Sequence, residues 1–392
     1  MKQVYIVSAL RTPIGSFGGQ FSQIPATQLG SQVVKAAMDA VTISNDDVDE
    51  IYFGQVVQAN AGQAPARQVA IGAGLSSSTP ATTINKVCSS GMKSIIIGAQ
   101  TIASGDNDVV VCGGMENMSS IPFYVPKARY GYGYGNAELV DGLVRDGLAN
   151  VYDGVAMGCF ADATAKKYDI SREEQDRFAI QSYKRSASSW EAGIFKDEVS
   201  GVSVTDRKGN VTTIDTDQEY KNVIFEKIPS LRAVFTKDGT VTAANASTIN
   251  DGAAAVILVS EDALKKYNLK PLAKIISYAD AAQDPEWFTT APVKAAEKAL
   301  KKSGLTLQDM DLFEVNEAFA VVTLAFIKQL GLDEDKVNVH GGAVSLGHPL
   351  GCSGARIVVT LLNALHKKNG KYGLAAICNG GGGASAMIIE AM

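Results

Sequence analysis

The feature that most constrains the fold is a motif that occurs twice. Cys88-Ser89-Ser90-Gly91 opens an apolar stretch through Ile95-Ile96-Ile97-Gly98-Ala99, and Asp108-Val109-Val110-Val111-Cys112-Gly113-Gly114 follows. Far downstream, Cys352-Ser353-Gly354 opens the run from Ala355 to Leu362, and Leu374-Ala375-Ala376-Ile377-Cys378-Asn379-Gly380-Gly381 follows. The paired cysteines lie 24 residues apart in the first copy and 26 in the second. Each copy reads as a helix, a buried strand and a glycine turn. A strand pattern also leads each half (Val4–Val7; Ala273–Ile276), and a helix then gives way to a second one (Ile51–Phe53; Leu312–Val315). Such alternation predicts α/β sheets with helices on both faces, arranged as two similar halves. Chance likeness among Gly/Ala-rich strands is the competing explanation.

The region between the copies has a different character. It carries Pro122, Pro126, Pro229 and the turn cluster Tyr130-Gly131-Tyr132-Gly133-Tyr134-Gly135. Ser171-Arg172-Glu173-Glu174 is a capping-box signature, opening a helix that carries Phe178 and Tyr183. Residues 206–210 read as a hairpin turn. The expected division is a first half over 1–118, an inserted loop domain over 119–249, a return over 250–270 with a strand at Gly252–Val259, and a second half over 271–392. Lys265 to Pro271 would join the halves.

Bulk properties narrow the function classes. The 392 residues allow two or three domains with ample core. A net charge of −5, with no basic tail, argues against a nucleic-acid partner. No apolar run is long enough to cross a bilayer. The five cysteines (88, 112, 159, 352, 378) include no C-x-x-C, and the three histidines are not at metal-ligand spacing. A reducing compartment is expected, not a disulfide framework or zinc site. The strand pattern starts at Val4 with no secretory or transit segment before it, and Ile388 to Met392 is no peroxisomal tripeptide. The expected location is cytoplasmic, the alternative being a mature organellar form with its presequence removed.

Four segments could carry chemistry. Cys88, placed at the first turn of a helix, would sit in partial positive charge that lowers a thiol's pKa and makes it a nucleophile; it could equally be a packed structural cysteine. Gly347-His348-Pro349-Leu350-Gly351 holds a histidine in a constrained turn, suited to a base for that thiol or to a purely structural role. Cys378 ends a strand before a run of four glycines, whose N–H groups could meet a developing oxyanion, or simply turn the chain. Asn316-Glu317-Ala318-Phe319 follows a buried strand at the ligand-facing edge of an α/β sheet, where Asn316 could also cap a helix. His340 and His366 read as structural.

Together these segments resemble the thiolase family along the whole chain. Arg11-Thr12-Pro13-Ile14-Gly15-Ser16-Phe17, Gly62 to Gln68, Gly113-Gly114-Met115-Glu116-Asn117-Met118, Asn245-Ala246-Ser247 and Asn250-Asp251-Gly252-Ala253-Ala254 are similar to family signatures, as are the four segments above. The pattern is nearest to the acetoacetyl-CoA thiolase (acetyl-CoA C-acetyltransferase) branch. The resemblance implies a five-layered αβαβα core of two duplicated halves, an inserted loop domain and a homotetramer. It implies reversible Claisen condensation of two acetyl-CoA to acetoacetyl-CoA and CoA, by a ping-pong route through S-acetyl-Cys88. In that scheme His348 takes the Cys88 proton and Cys378 is the second acid/base. One oxyanion hole comprises His348 and a water held by Asn316; the other uses the N–H groups of Cys88 and Gly380. CoA contacts fall on Met157, Tyr183, Lys227, Ser247, Ala318 and Phe319. Tyr183 and the carbonyls of Ala243, Ala244, Ala246 and Val344 match a potassium site of the mitochondrial-type enzymes. The aromatic stretch from Tyr124 to Tyr134 is similar to the tetramerisation loop. Two positions depart from the family: Ala156 where His is common, and Asn222 where Arg often meets the adenine. The nearest rival reading is a degradative 3-ketoacyl-CoA thiolase; a carrier-protein ketosynthase and a non-catalytic lipid-binding relative fit less well, since both cysteines and the histidine are present.

Overall fold

A computed structural model describes residues 2–205 and 208–392. The first half runs β1 (Val4–Arg11), β2 (Gly15–Ser16), α1 (Ala26–Asp39), β3 (Glu50–Gly54), α2 (Pro65–Gly72), β4 (Ala81–Ile84), α3 (Ser90–Ser104) and β5 (Val109–Asn117). A long excursion then adds the ribbon β6 (Phe123–Tyr124) and β7 (Val140–Asp141), helices α4 (Met157–Lys167) and α5 (Arg172–Glu191), and the pair β8 (Val202–Thr205) and β9 (Val211–Ile214). β10 (Asn250–Ser260) and α6 (Glu261–Lys266) bring the chain back. The second half is β11 (Ala273–Ala282), α7 (Ala291–Ser303), β12 (Leu312–Val315), α8 (Ala320–Leu330), α9 (Ala343–Leu346), α10 (Leu350–Lys368), β13 (Tyr372–Asn379) and β14 (Gly383–Ala391).

The repeat is visible in the strand order. The first half is ordered β4-β3-β5-β10-β1 and the second β12-β13-β14-β11. In each, the strand after the central helix (α3 or α10) pairs in parallel with an earlier strand and antiparallel with a later one: β5 with β3 and β10, β13 with β12 and β14. The place of β4 is taken in the second half by a single parallel bridge, Phe313 to Val337. The halves meet edge to edge, with Tyr5 opposite Lys274 and Ile6 opposite Ala273.

Three apolar clusters divide the molecule into five layers. α1 and α2 cover one outer face with Leu29, Val33 and Val69 against Phe53 and Ile257. α7 and α8 cover the other with Ala295, Ala299 and Phe326 against Phe313 and Ile388. Between the sheets lie α3 and α10, whose Met92, Ile95, Val358 and Leu361 share one cluster with Leu258 and Ile377. Helices buried on opposite faces at once must be apolar nearly all round, which is how both read. Glycines allow their close crossing: a Cβ on Gly91 would meet the backbone of Ala355, and one on Gly354 the backbone of Met92.

Most local readings hold. Ser171 Oγ accepts from Glu174 N at 3.1 Å while Glu174 Oε2 accepts from Ser171 N at 2.6 Å, the reciprocal pair that opens α5. Two readings change. α6 occupies part of the expected join between halves, because Ser260 caps a helix there by accepting from Ala263 N. Asn316 caps nothing, since α8 starts only after Phe319. The hairpin turn read at 206–210 lies partly outside the described residues. The excursion is pinned to the core by Arg11, fully buried, whose guanidinium meets Glu198 at 2.6 Å and Asp217 at 2.7 Å.

Candidate active site

A largely apolar cavity of about 560 Å³ opens where the halves meet the excursion, and Cys88, His348 and Gly380 all line it. Its rim carries the exposed side chains of Phe17 and Val234.

Cys88 stands just before α3 on a strained turn. Val87 has φ +48°, a left-handed conformation that costs a β-branched residue on the order of 1–3 kcal/mol. The turn is held by polar contacts: Val87 N donates to Asn85 Oδ1 at 3.0 Å, and Ser90 Oγ donates to Val87 O at 2.6 Å while accepting from Lys86 N at 2.8 Å. Lys86 then reaches the second half, with Nζ 2.7 Å from Asp280 Oδ1, 2.7 Å from Ser385 Oγ and 2.9 Å from the Ala384 carbonyl. Lys93 holds the other oxygen of Asp280 at 2.7 Å. Ser89 Oγ donates to Asn379 Oδ1 at 3.0 Å. The turn that carries Cys88 is therefore anchored to the strand pair that holds Cys378 and leads into Gly380.

His348 is buried, and its orientation is fixed on three sides. Its backbone N–H donates to Asn250 Oδ1 at 2.9 Å. Nδ1 lies 2.6 Å from Ser353 Oγ, whose own proton goes to the Pro349 carbonyl at 2.8 Å. Ser353 must then accept, which assigns the proton to Nδ1 and leaves Nε2 bare. Nε2 has no hydrogen-bond partner, so its lone pair is free to take a proton. Burial pushes this imidazole down to about 3, and the Arg356 charge adds to the effect.

The expected lowering of the Cys88 thiol pKa is not seen. Burial pushes it up to about 12, and the N–H groups of Gly380 and of Cys88 itself pull back by less. The helix N-terminus does not offset this, because Cys88 stands two residues before the first residue of α3 and is buried. The resting pair is thus neutral thiol and neutral imidazole.

Cys378 does not line the cavity. Fully buried, it packs with Phe288, Ala318 and Val322 behind the wall that Met157 and Phe319 complete. Burial raises its thiol well above the ordinary range, and the Cys88 charge raises it further, which places the two sulfurs within electrostatic reach. Asn316 is also buried; its Nδ2 lies 3.5 Å from His348 Nδ1, and its Oδ1 accepts from Arg356 at 3.4 Å.

The other expected positions divide. Met157, Ser247, Ala318 and Phe319 line the cavity, as do Ala243, Ala246 and Asn222. Two strands of backbone hold this wall together: Ala320 N donates to Asn245 O at 2.8 Å and Ser247 N to Ala318 O at 3.1 Å. Lys227 is exposed and outside the cavity. Tyr183 and Val344 pack on each other with Ala179 in a separate cluster, and Ala244 is buried away from the cavity lining. His340, bonded to Ser189 Oγ at 3.0 Å, and His366, bonded to the Leu272 carbonyl at 2.9 Å, play structural parts. Sequence reading gave no role to Ser353, Asn250 or Glu116. All three lie inside segments recognised as motifs, but a hydroxyl, an amide and a carboxylate bonded to backbone carry no spacing signal.

The chain matches the family model "Thiolase, N-terminal domain" over residues 4–262 and "Thiolase, C-terminal domain" over 269–391. It is 56% identical to "Probable acetyl-CoA acetyltransferase" of Dictyostelium discoideum, covering 100% of this chain and 94% of that one. It is 54% identical to the human "Acetyl-CoA acetyltransferase, mitochondrial", covering 100% and 91%. Among solved structures, a thiolase of Ascaris suum in complex with coenzyme A superposes with a TM-score of 0.95 at 48% identity, covering 100% of both chains. Two matched domains that together span nearly every residue make this chain a member of the thiolase family.

Proposed function

We propose that the protein is an acetyl-CoA C-acetyltransferase, carrying out the reversible condensation of two acetyl-CoA to acetoacetyl-CoA and CoA. The observation that carries this reading is the meeting of Cys88, a bare His348 Nε2 and the Gly380 N–H in one cavity. The names of the relatives support the substrate class.

In the first half-reaction Nε2 of His348 takes the Cys88 proton, and the sulfur attacks the acetyl carbonyl. The N–H groups of Cys88 and Gly380 face the sulfur in the resting structure and are the donors available to the tetrahedral oxyanion; each such donor is worth about 10²–10³ in rate. CoA leaves as a thiol with the proton from His348, and Cys88 holds the acetyl group. In the second half-reaction Cys378 first passes its thiol proton to the vacated Nε2 of His348, and the resulting thiolate takes a proton from the methyl of another acetyl-CoA. Its apolar surroundings make that thiolate a strong base, as a weakly acidic C–H demands. The carbanion attacks the acetyl carbon, the Cys88–carbon bond breaks, Cys378 keeps the methyl proton, and the Cys88 thiolate recovers its proton from His348. Asn316 beside His348 supplies an amide for a water at the other oxyanion position.

CoA itself would run from the cavity along the excursion, against Met157, Ser247 and Phe319, with Lys227 outside the walls as a contact for its charged end. A potassium ion would take Tyr183 and the carbonyls of Ala243, Ala244, Ala246 and Val344. Support for that site is the packing of Tyr183 on Val344 and the negative Glu219, whose charge is felt at Tyr183 and which also lines the cavity. Activity compared in KCl and NaCl tests it. The exposed aromatic arm around Tyr130 and Tyr134 supports assembly as a homotetramer; the double change to Ser should leave smaller species in light scattering. The division into 1–118, 119–249, 250–270 and 271–392 accords with strand order, and limited proteolysis within 119–249 tests it. For compartment, the human relative's name favours the organellar alternative over the cytoplasmic expectation; a fluorescent fusion of the native precursor decides.

The decisive test is incubation with acetyl-CoA followed by mass spectrometry. Acetylation of the Cys88 peptide, absent in Cys88→Ala, is expected. Acetyl transfer that persists in that variant overturns the reading.

A further inference from the structure

Glu116 lies at the end of β5, fully buried, between the two turns that carry Cys88 and His348. Its Oε2 accepts from Gly351 N at 2.9 Å and from Val56 N at 3.0 Å, while Oε1 accepts from Val57 N at 3.2 Å. Gly351 is three residues past His348, at the start of α10. On the other side the contact continues outward: the Val56 carbonyl accepts from Asn85 Nδ2 at 3.1 Å, and Asn85 Oδ1 holds the N–H of strained Val87 at 3.0 Å. One carboxylate thus fastens the base's turn directly and the nucleophile's turn through Val56 and Asn85. Its charge is felt at both Cys88 and Cys352.

We propose that Glu116 is a positioning residue that sets the separation of Cys88 and His348, so that proton transfer between them is possible when a thioester docks. A carboxylate suits this task because it accepts at both oxygens and donates at neither. A glutamine in its place keeps the shape but accepts at only one oxygen and turns an NH₂ group on a backbone N–H. The backbone around it leaves no slack: a Cβ on Gly351 would meet Met115 O, the Gln55 Cα and Glu116 Oε2. Loss of the clamp should let the two turns drift without altering the distant CoA-binding wall.

This inference rests on the nucleophile and base assigned above, and rapid-quench acetylation of Cys88 separates the two. Wild-type protein should acetylate; if it does not, the assignment itself fails. Given wild-type acetylation, Glu116→Gln should acetylate on the order of a hundredfold more slowly, as misplacement by about 1 Å costs, with KM for acetyl-CoA within about twofold. Unchanged acetylation, or a loss appearing only in KM, overturns the proposal. Should Glu116→Gln fail to fold, Asn85→Ala breaks the same connection from its solvent side. There a slower acetylation with unchanged KM supports the clamp, and a wild-type rate refutes it.

Discussion

The two copies of the repeated motif hold four cysteines, yet only one from each copy belongs to the proposed site: Cys88 lines the cavity and Cys378 packs behind its wall. Cys88 and Cys352 open equivalent helices, but the helices begin differently. α3 begins after its cysteine, and the left-handed Val87 turns the thiol toward the cavity. α10 begins before its cysteine, so Cys352 lies inside the first turn and packs into the central layer. The strand cysteines show the reverse choice. Cys112 is in the middle of β5 and fills the space beside Gly98, whereas Cys378 is the last residue but one of β13, at the edge of the glycine turn. A shift of a few residues in where an element starts or stops decides whether a thiol stands at a turn beside the cavity or inside a packed element.

The sharpest way to break this comparison is to exchange the helix cysteines. Cys88→Ala should lower acetyl transfer at least ~10³-fold, whereas Cys352→Ala should keep turnover within about threefold, measured by CoA release. A comparable loss in Cys352→Ala would show that the halves are not functionally distinct. The strand cysteines give the next largest contrast. Cys378→Ala should still acetylate Cys88 but lose condensation by about 10²–10⁴, while Cys112→Ala should only cost about 1 kcal/mol in chemical denaturation. Retained condensation in Cys378→Ala would remove it from the mechanism.

A glycine after β13 and one inside β5 offer a third contrast. A Cβ on Gly380 meets nothing closer than 3.5 Å, so Gly380→Ala should change stability by no more than about 0.5 kcal/mol. A Cβ on Gly114 would run into the Gly351 carbonyl, and Gly114→Ala should cost about 1–3 kcal/mol by forcing β5 and α10 apart. The smallest effect concerns the anchor that only the first turn possesses. Hydrogen bonds from Lys86, Lys93 and Ser385 outweigh burial and hold the Asp280 carboxyl at about 2, below its ordinary range. A depressed carboxylate stabilises the folded state fully above its unfolded value of about 4, and that contribution is lost as pH falls through the folded value. Asp280→Asn should therefore be less stable than wild type by a constant margin from about pH 5 to 8, closing toward pH 2. A margin independent of pH would assign the effect to packing alone.

What the sequence made legible follows from the kind of signal each feature leaves. Apolar runs marked β12, β13 and the central helices to within a few residues, since burial on both faces demands unbroken apolar composition. Cys88, His348 and Cys378 stood out because reactive side chains among small residues are odd as structure. The pairing of β1 with β10 and with β11 left no local mark, being a contact between segments hundreds of residues apart. Neither did the covering of Cys378 by Phe288 and Ala318, nor the linking of Lys86 to Asp280. The reading of an acidified thiol failed for the same reason: a helix start is visible in sequence, but the wall that desolvates Cys88 comes from other segments.

The close crossing of α3 and α10 has a consequence for ancestry. Each helix covers its own sheet with one side and the opposite helix with the other, so a solitary half would present a wide oily stripe to water. A gene encoding just one copy of the motif would have yielded a product that associates with itself. With both halves in one polypeptide the two stripes stay buried against each other, and each thiol position meets its own surroundings.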